Sequence, residues 1–331
     1  MGAVYSISNP RLRRGPNPWG SLMRNSSCFA FAALFVFLAI APPAWAGNPG
    51  DAGFLSLRFG IGARNGAMGD VGVAESSGAT AMYYNPANLV LTEGTNLTLQ
   101  HVEHFSLFRQ EAAAVSHRLP QGAIGLIFSG FYSESIPRTT LDRIGVSQGD
   151  FQPYQLAVGL GYAYQFKDFS LGLVGKFLYE RIDAYSAQGL ALDLGISHRS
   201  KIPGLTLAAA VANLGGQMTV KEEPYDLPLT TRLGASYTPH TEREGMAQNF
   251  TLATDLVLPN DGNGRIHVGG EMRLHSSFAL RAGYRINYDS YGLTAGLGYH
   301  AGSLSVDYAY MDSGNDLSDD HRISLSFAFL P

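Results

Sequence analysis

The chain has little of what a soluble enzyme relies on. It carries one cysteine in 331 residues, Cys28. This cysteine lies in an N-terminal leader, so the chain beyond the leader has no thiol for a disulfide, a thiolate metal site or a cysteine nucleophile. Cys28 also precedes the leader's apolar run, whereas a lipoprotein cysteine would follow it. Charged residues make up only 15% of the chain, with 23 Lys and Arg against 27 Asp and Glu. Four of the basic residues (Arg11, Arg13, Arg14 and Arg24) precede the first acid, Asp51, so the remainder is more acidic still. The basic patch or stripe of a nucleic-acid binder is missing, and no nucleic-acid partner is expected. No run of 18 or more apolar residues follows Ala46, which leaves no candidate membrane helix. Neither a Gly-x-Ser-x-Gly elbow nor a His-Glu-x-x-His pair occurs, so no catalytic residue, metal or cofactor is assigned.

The leader itself has a recognisable order. Basic residues come first, an apolar run follows over 28–40, and Ala44-Trp45-Ala46 forms a small-x-small cleavage pattern. These are the three regions of a secretory signal. The expected organisation is a signal peptide at 1–46, with Met23 as an alternative start, an N-terminal plug at 47–93 and a barrel at 94–331.

What the chain does have is alternation. Between Tyr154 and Phe166 every second residue is large and apolar: Tyr154, Leu156, Val158, Leu160, Tyr162, Tyr164 and Phe166. Gln155, Ala157, Gly159, Gly161, Ala163 and Gln165 lie between them. Successive side chains of a strand point to opposite faces, so one face is apolar and the other small or polar. The stretch exceeds the roughly 5–6 residues of an ordinary strand and reaches the roughly 9–11 that a tilted strand needs to cross a bilayer.

The pattern recurs down the chain, and charge follows it. Lys176, Asp193, Arg232, Asp255, Arg265, Glu271, Arg273, Arg281, Arg285, Asp307 and Arg322 fall on the parity opposite the apolar row. A charge facing lipid at the midplane would cost about 2–4 kcal/mol. A soluble sandwich gives a similar alternation, so periodicity alone leaves lipid and protein core both open. Strand length, tyrosines at the ends of apolar rows and the leader favour lipid. Weaker candidate strands at 97–105, 109–119 and 123–133 precede eleven clearer ones. The expected fold is an all-β transmembrane antiparallel barrel of about 14 strands with an N-terminal plug. The longer connections, 134–152, 217–227 and 312–320, face outside if the short turns are periplasmic.

The segment 47–93 does not alternate. It contains Phe59-Gly60-Ile61-Gly62-Ala63-Arg64-Asn65-Gly66-Ala67-Met68-Gly69 and Ala79-Thr80-Ala81-Met82-Tyr83-Tyr84-Asn85-Pro86-Ala87-Asn88-Leu89. These two stretches resemble the N-terminal signature of PorV/PorQ-type outer-membrane proteins, within the wider FadL-like group of fourteen-stranded barrels. Val211-Ala212-Asn213-Leu214-Gly215, Leu280-Arg281-Ala282-Gly283-Tyr284-Arg285 and Asp307-Tyr308-Ala309-Tyr310 extend the resemblance over most of 50–330. It implies a monomeric barrel with a plug, embedded in outer-membrane lipid. It also implies one of two jobs: assisting secretion or surface attachment of cargo proteins, with cargo or a secretion complex as partner, or passing a hydrophobic small molecule such as a long-chain fatty acid. Ser76-Ser77, preceded by Glu75, stands where the family often has an acidic pair. The chain ends Phe329-Leu330-Pro331 rather than on the aromatic residue.

The candidate site residues follow from both readings. In the plug they are Gly62, Ala63, Arg64, Met68, Gly69, Tyr84, Asn85, Pro86 and Ala87, with Asn85-Pro86 setting a turn and Arg64 pairing with a lumen acid. In the barrel they are the eleven lumen charges above. Arg265, Arg273, Arg281 and Arg285, with Glu271 among them, are expected to form a ladder across successive strands. It would either brace barrel and plug or steer an anionic group. Gly60-Ile61-Gly62 with Gly66 lacks dinucleotide-loop spacing and reads as tight packing. His101, Glu103 and His104 do not converge as metal ligands and read as solvated strand-end residues.

Overall fold

The computed structural model describes residues 50–139, 149–239, 250–274, 277–288, 292–314 and 318–329. The leader, Cys28, Tyr291 and the last two residues lie outside them. Fourteen strands alternate in direction: β1 Thr95–His104, β2 Phe108–Leu119, β3 Gly122–Ser133, β4 Tyr154–Phe166 and β5 Phe169–Ile182; β6 Tyr185–Arg199, β7 Leu205–Gly215, β8 Thr230–Tyr237, β9 Phe250–Pro259 and β10 Arg265–Leu274; and β11 Phe278–Ile286, β12 Leu293–Ala301, β13 Leu304–Met311 and β14 Asp320–Phe329. Each pairs with its sequence neighbours, and β1 closes on β14 from Thr95↔Phe329 to Glu103↔His321. The edge problem of an open sheet disappears.

The direction of the alternation decides what surrounds the barrel. On β4 the large apolar row is exposed, with Leu160 67% accessible, while Ala157 and Ala163 are buried. The same inversion holds at Leu171, Leu190, Leu252, Leu280, Leu297 and Ile323. A sandwich would bury these residues; here they point away from the protein, and the buried row holds the charges. An apolar outer band around a closed barrel is a lipid-facing surface. Tyrosines border the band. Tyr132, Tyr154 and Tyr179 neighbour one another at one rim, their tilted rings with centroids 6.3 and 6.0 Å apart, while Tyr162, Tyr164, Tyr237 and Tyr299 are exposed near the other. Beyond the first rim the outward row turns polar, where His101 meets Glu111 at 2.7 Å.

The two rims differ. One carries short turns such as Lys167-Asp168 and Gly302-Ser303, and also the start of β1 and the end of β14. At this turn rim Lys167 adopts φ 54°, the left-handed geometry of a two-residue hairpin turn. The opposite loop rim bears the connections 134–153, 216–229 and 312–319. Two of these fold into small ribbons, Ile136–Pro137 with Asp150–Phe151 and Met218–Val220 with Glu223–Tyr225. The second turns inward, with Met218 buried and the Tyr225 hydroxyl on Glu180. The β6–β7 ladder slips between Leu192 and Leu194.

The N-terminal segment lies inside the barrel and is called the plug below. It has only short helices: α1 Ala63–Ala67, α2 Ala81–Tyr84 and 3-10 turns at Leu55–Arg58, Gly78–Thr80 and Pro86–Leu91. Helices this short do not persist alone in water, so the barrel wall must hold them. Towards β2–β5 the plug is apolar: Ile61, Met82, Leu89 and Val90 pack on Ala112, Ala114, Ala123, Ile127, Ala163 and Val174. Towards β8–β14 it is charged. The lumen therefore has a greasy wall and an ionic wall.

Candidate functional site

The plug motifs are anchoring points. Gly62 caps α1 at φ 97° and donates its N–H to Gln100, and the Ala63 N–H reaches Ser324 Oγ at 3.1 Å. Gly69, at φ 75°, donates to Thr294 Oγ1 at 2.9 Å while pressed against the backbone of Val268 and Tyr284. A Cβ at this position would lie only 3.0–3.3 Å from that backbone, and the left-handed φ would strain any other residue there. Met68 is wholly buried next to Val71 and Ala253. Asn85 is also wholly buried. Its Oδ1 accepts the Ala87 N–H at 3.1 Å, capping the turn that begins at Pro86, and its Nδ2 donates to the carbonyls of Val73 and Ile196. The Tyr84 hydroxyl donates to Asp70 at 3.2 Å.

Two ionic clusters join plug to wall. Near the turn rim, Arg64 grips Glu271 of β10 with two bonds, at 2.7 and 3.2 Å, and also pairs with Glu75 of the plug. Glu271 accepts from Arg281 at 2.7 Å and Arg273 at 3.2 Å as well, and Arg281 passes on to Asp307 at 2.7 Å. Burial pushes the Glu75 carboxyl above its ordinary range, although Arg64 opposes this. Near the loop rim, Asp70 of the plug meets Arg322 of β14 at 3.0 Å and Arg285 of β11 at 3.1 Å. Burial alone would raise Asp70, but the two guanidiniums more than offset it and hold the carboxyl well below the usual range. Elsewhere Lys176 pairs with Asp193 at 2.6 Å, and Asp255 accepts the plug N–H groups of Gly72 and Val73 at 2.8 and 3.1 Å.

Nine of the eleven lumen charges are buried; Arg265 is partly exposed, and the Arg273 side chain is 61% exposed. The expected four-arginine ladder does not form. Arg265 and Arg273 share β10, and Arg281 and Arg285 share β11. Eight residues along one strand separate the first pair by roughly 27 Å, so the four divide between the two rims. His104 is a second correction. It is wholly buried, with Nδ1 2.6 Å from Asp320 and its ring 4.2 Å from that of Phe59, and is not a solvated end residue. The plug partners Asp70 and Glu75 and the ring of Tyr83 were missed as site residues. They sit in a segment without periodicity, where only an acid amid glycines and alanines marks them.

Two cavities flank the plug. One of about 620 Å³ opens at the turn rim among Arg64, Glu75, Glu271, Arg273, Asp307 and His300. One of about 320 Å³ lies at the loop rim among Arg58, Tyr83, Arg232, Arg265, Arg285 and Arg322. Beside the loop-rim cavity, with which it shares Phe59 and Tyr83, a crevice of about 30 Å³ is lined by Leu57, Ile61, Met82, Ile127 and Ala157 and also by Gln110, Ser129 and Lys176.

No protein-family profile matches the chain, and no curated protein matches it by sequence. Solved structures do match by fold. The toluene transporter TodX of Pseudomonas putida superimposes with a TM-score of 0.60 at 13% identity, over 82% of this chain and 99% of that one. The toluene transporter TbuX of Ralstonia pickettii gives 0.59 at 17% identity, over 82% and 98%. The chain is a bacterial outer-membrane β-barrel. Its fold is that of these transporters, and the likeness includes nearly their whole length.

Proposed function

We propose that this protein is a non-enzymatic outer-membrane channel that passes hydrophobic small molecules, with the N-terminal segment as its plug. The observation that carries the reading is the two-sided lumen. Apolar residues of plug and wall face each other from β2 to β5, next to a crevice lined by Leu57, Ile61, Met82 and Ile127. This apolar surface offers a hydrocarbon a path on which the one charge lining the crevice, Lys176, is paired with Asp193. The crevice, at about 30 Å³, has room for about one water molecule, so passage requires the plug to shift off this wall. The likeness to toluene transporters supports the same reading. Secretion or surface attachment, the other job implied by the PorV/PorQ-like motifs, has no comparable support in the lumen, where those motif residues serve as anchors.

The test is uptake of radiolabelled toluene and of a long-chain fatty acid by cells that lack their own hydrophobic-solute channel. Expression of the full chain should raise uptake of at least one, and Ile127→Arg should abolish the gain while the barrel still migrates as a folded species. Uptake equal to that of cells without the protein would overturn the reading.

A further inference from the structure

Five arginines line the loop-rim cavity: Arg58, Arg232, Arg265, Arg285 and Arg322. Three have carboxylate partners: Asp261 for Arg58, and Asp70 for both Arg285 and Arg322. The other acid of the cavity, Asp320, is occupied by His104 and the Phe105 N–H. Among the described residues, no ion pair forms at Arg232 or Arg265.

Both are held in place by rings instead. The Arg232 guanidinium lies 5.3 Å from the Tyr83 centroid and 5.8 Å from that of Tyr84, and Arg265 lies 4.4 Å from that of Tyr288. Arg232 is only 8% exposed. Its Nη2 reaches the Tyr83 hydroxyl at 3.4 Å, while Nε and Nη1 have no hydrogen-bond partner among the described residues. Asp255 faces Gly234, the next inward position on β8; it gives Oδ2 to the N–H groups of Gly72 and Val73, leaves Oδ1 without a hydrogen-bond partner among the described residues, and attracts Arg232 through space without a hydrogen bond to it.

Register sets the two cations side by side. Arg232 faces Val257, and Val257 faces Arg265. They share one row, two strands apart, with about 10 Å between their backbones. Two long side chains on that spacing reach a common point above Val257. A buried guanidinium with unused donors is costly, and an oxyanion placed between the two would satisfy both with charge-assisted hydrogen bonds. Thr230, Asn263 and Asn287 add neutral polar groups to a wall that also holds Phe59, Val257 and Pro259, and the five arginines make it suit a compact anion better than a hydrocarbon.

We propose that the loop-rim cavity binds a small hydrophilic oxyanion, a carboxylate or a phosphate, between Arg232 and Arg265. The site is distinct from the greasy wall and does not depend on hydrocarbon transport.

The test is isothermal titration calorimetry on the purified full chain in detergent, with sodium benzoate and sodium phosphate as separate probes and toluene as the neutral control. Saturable binding of at least one anion is expected. Binding of phosphate but not benzoate assigns an inorganic anion, and the reverse an organic acid. Arg265→Gln, at the partly exposed position, should weaken binding by about tenfold or more. Arg232→Gln should do the same, provided its heat-dependent gel shift shows a folded barrel. If neither anion binds the wild-type protein, or if the folded Arg265→Gln variant binds unchanged, the site does not exist. Because binding is read on purified protein and hydrocarbon uptake in cells, either idea can fail alone.

Discussion

Replacing Arg64 with methionine keeps an unbranched apolar stem and removes the cation shared by Glu75 and Glu271. The two carboxylates are each 2% exposed in their side chains, and Arg64 is 24% exposed. Glu271 keeps Arg273 and Arg281, whereas Glu75 loses its only ion-pair partner among the described residues. Removing one member of a buried pair costs about 3–5 kcal/mol. The partial exposure of Arg64 places this case at the lower end, about 3 kcal/mol, because water can reach the gap. The loss should fall on plug docking and not on the barrel, whose strand ladders do not involve Arg64. A cost of about 3 kcal/mol raises the undocked fraction roughly a hundredfold, and local opening of this kind is read by amide exchange. Hydrogen–deuterium exchange over α1 should accelerate by about that factor, while exchange in β1–β14 and the heat-dependent gel shift stay as in the wild type. Adding Glu75→Gln to Arg64→Met should recover part of the protection, since the stranded carboxylate is gone. Unchanged exchange in the single variant, or no recovery in the double variant, would refute the reasoning.

Acid should act through Asp70. A carboxyl held below its ordinary range stabilises the folded state above that range, and the contribution disappears as pH falls through the folded value. The share of plug protease resistance that Asp70 supplies should therefore be level from about pH 7 to about pH 5 and be lost only in stronger acid, while the raised Glu75 carboxyl acts in the opposite sense as pH falls. Asp70→Asn should lower resistance throughout and flatten the acid-dependent part; a variant with the wild-type profile would show that Asp70 is not the group responsible. Leu160→Arg places a charge in the middle of the lipid-facing row of β4. It should cost about 2–4 kcal/mol, measured as a shift in the denaturant midpoint for folding into vesicles; an unshifted midpoint would mean that this row does not face lipid.

Much of the architecture was legible because strands have a period of two. The parity of Tyr154–Phe166, carried along the chain, located the eleven charges on one side of the wall, and counting the apolar rows gave the fourteen strands that close the barrel. The pairing of Arg64 with an acid across the lumen was also readable, as a lone cation in an uncharged motif. The identity of that acid was not readable. Glu271 is 207 positions away from Arg64, and only strand order and the depth of the plug bring them together. The plug lacks periodicity, so the roles of Asp70, Glu75 and Tyr83 had no sequence signal beyond their isolation.

The sequence by itself determined that the chain makes long two-faced strands with charges confined to one face, because side-chain alternation is a local property of extended backbone. It could not say which face was inside. Lipid and protein core select the same apolar residues, and only closure of the barrel, with Leu160 outward and Glu271 inward, distinguished them. Tertiary structure alone also set Arg232 and Arg265 in one row across Val257. Their spacing is a consequence of register between strands, which the order of residues in any one strand does not contain.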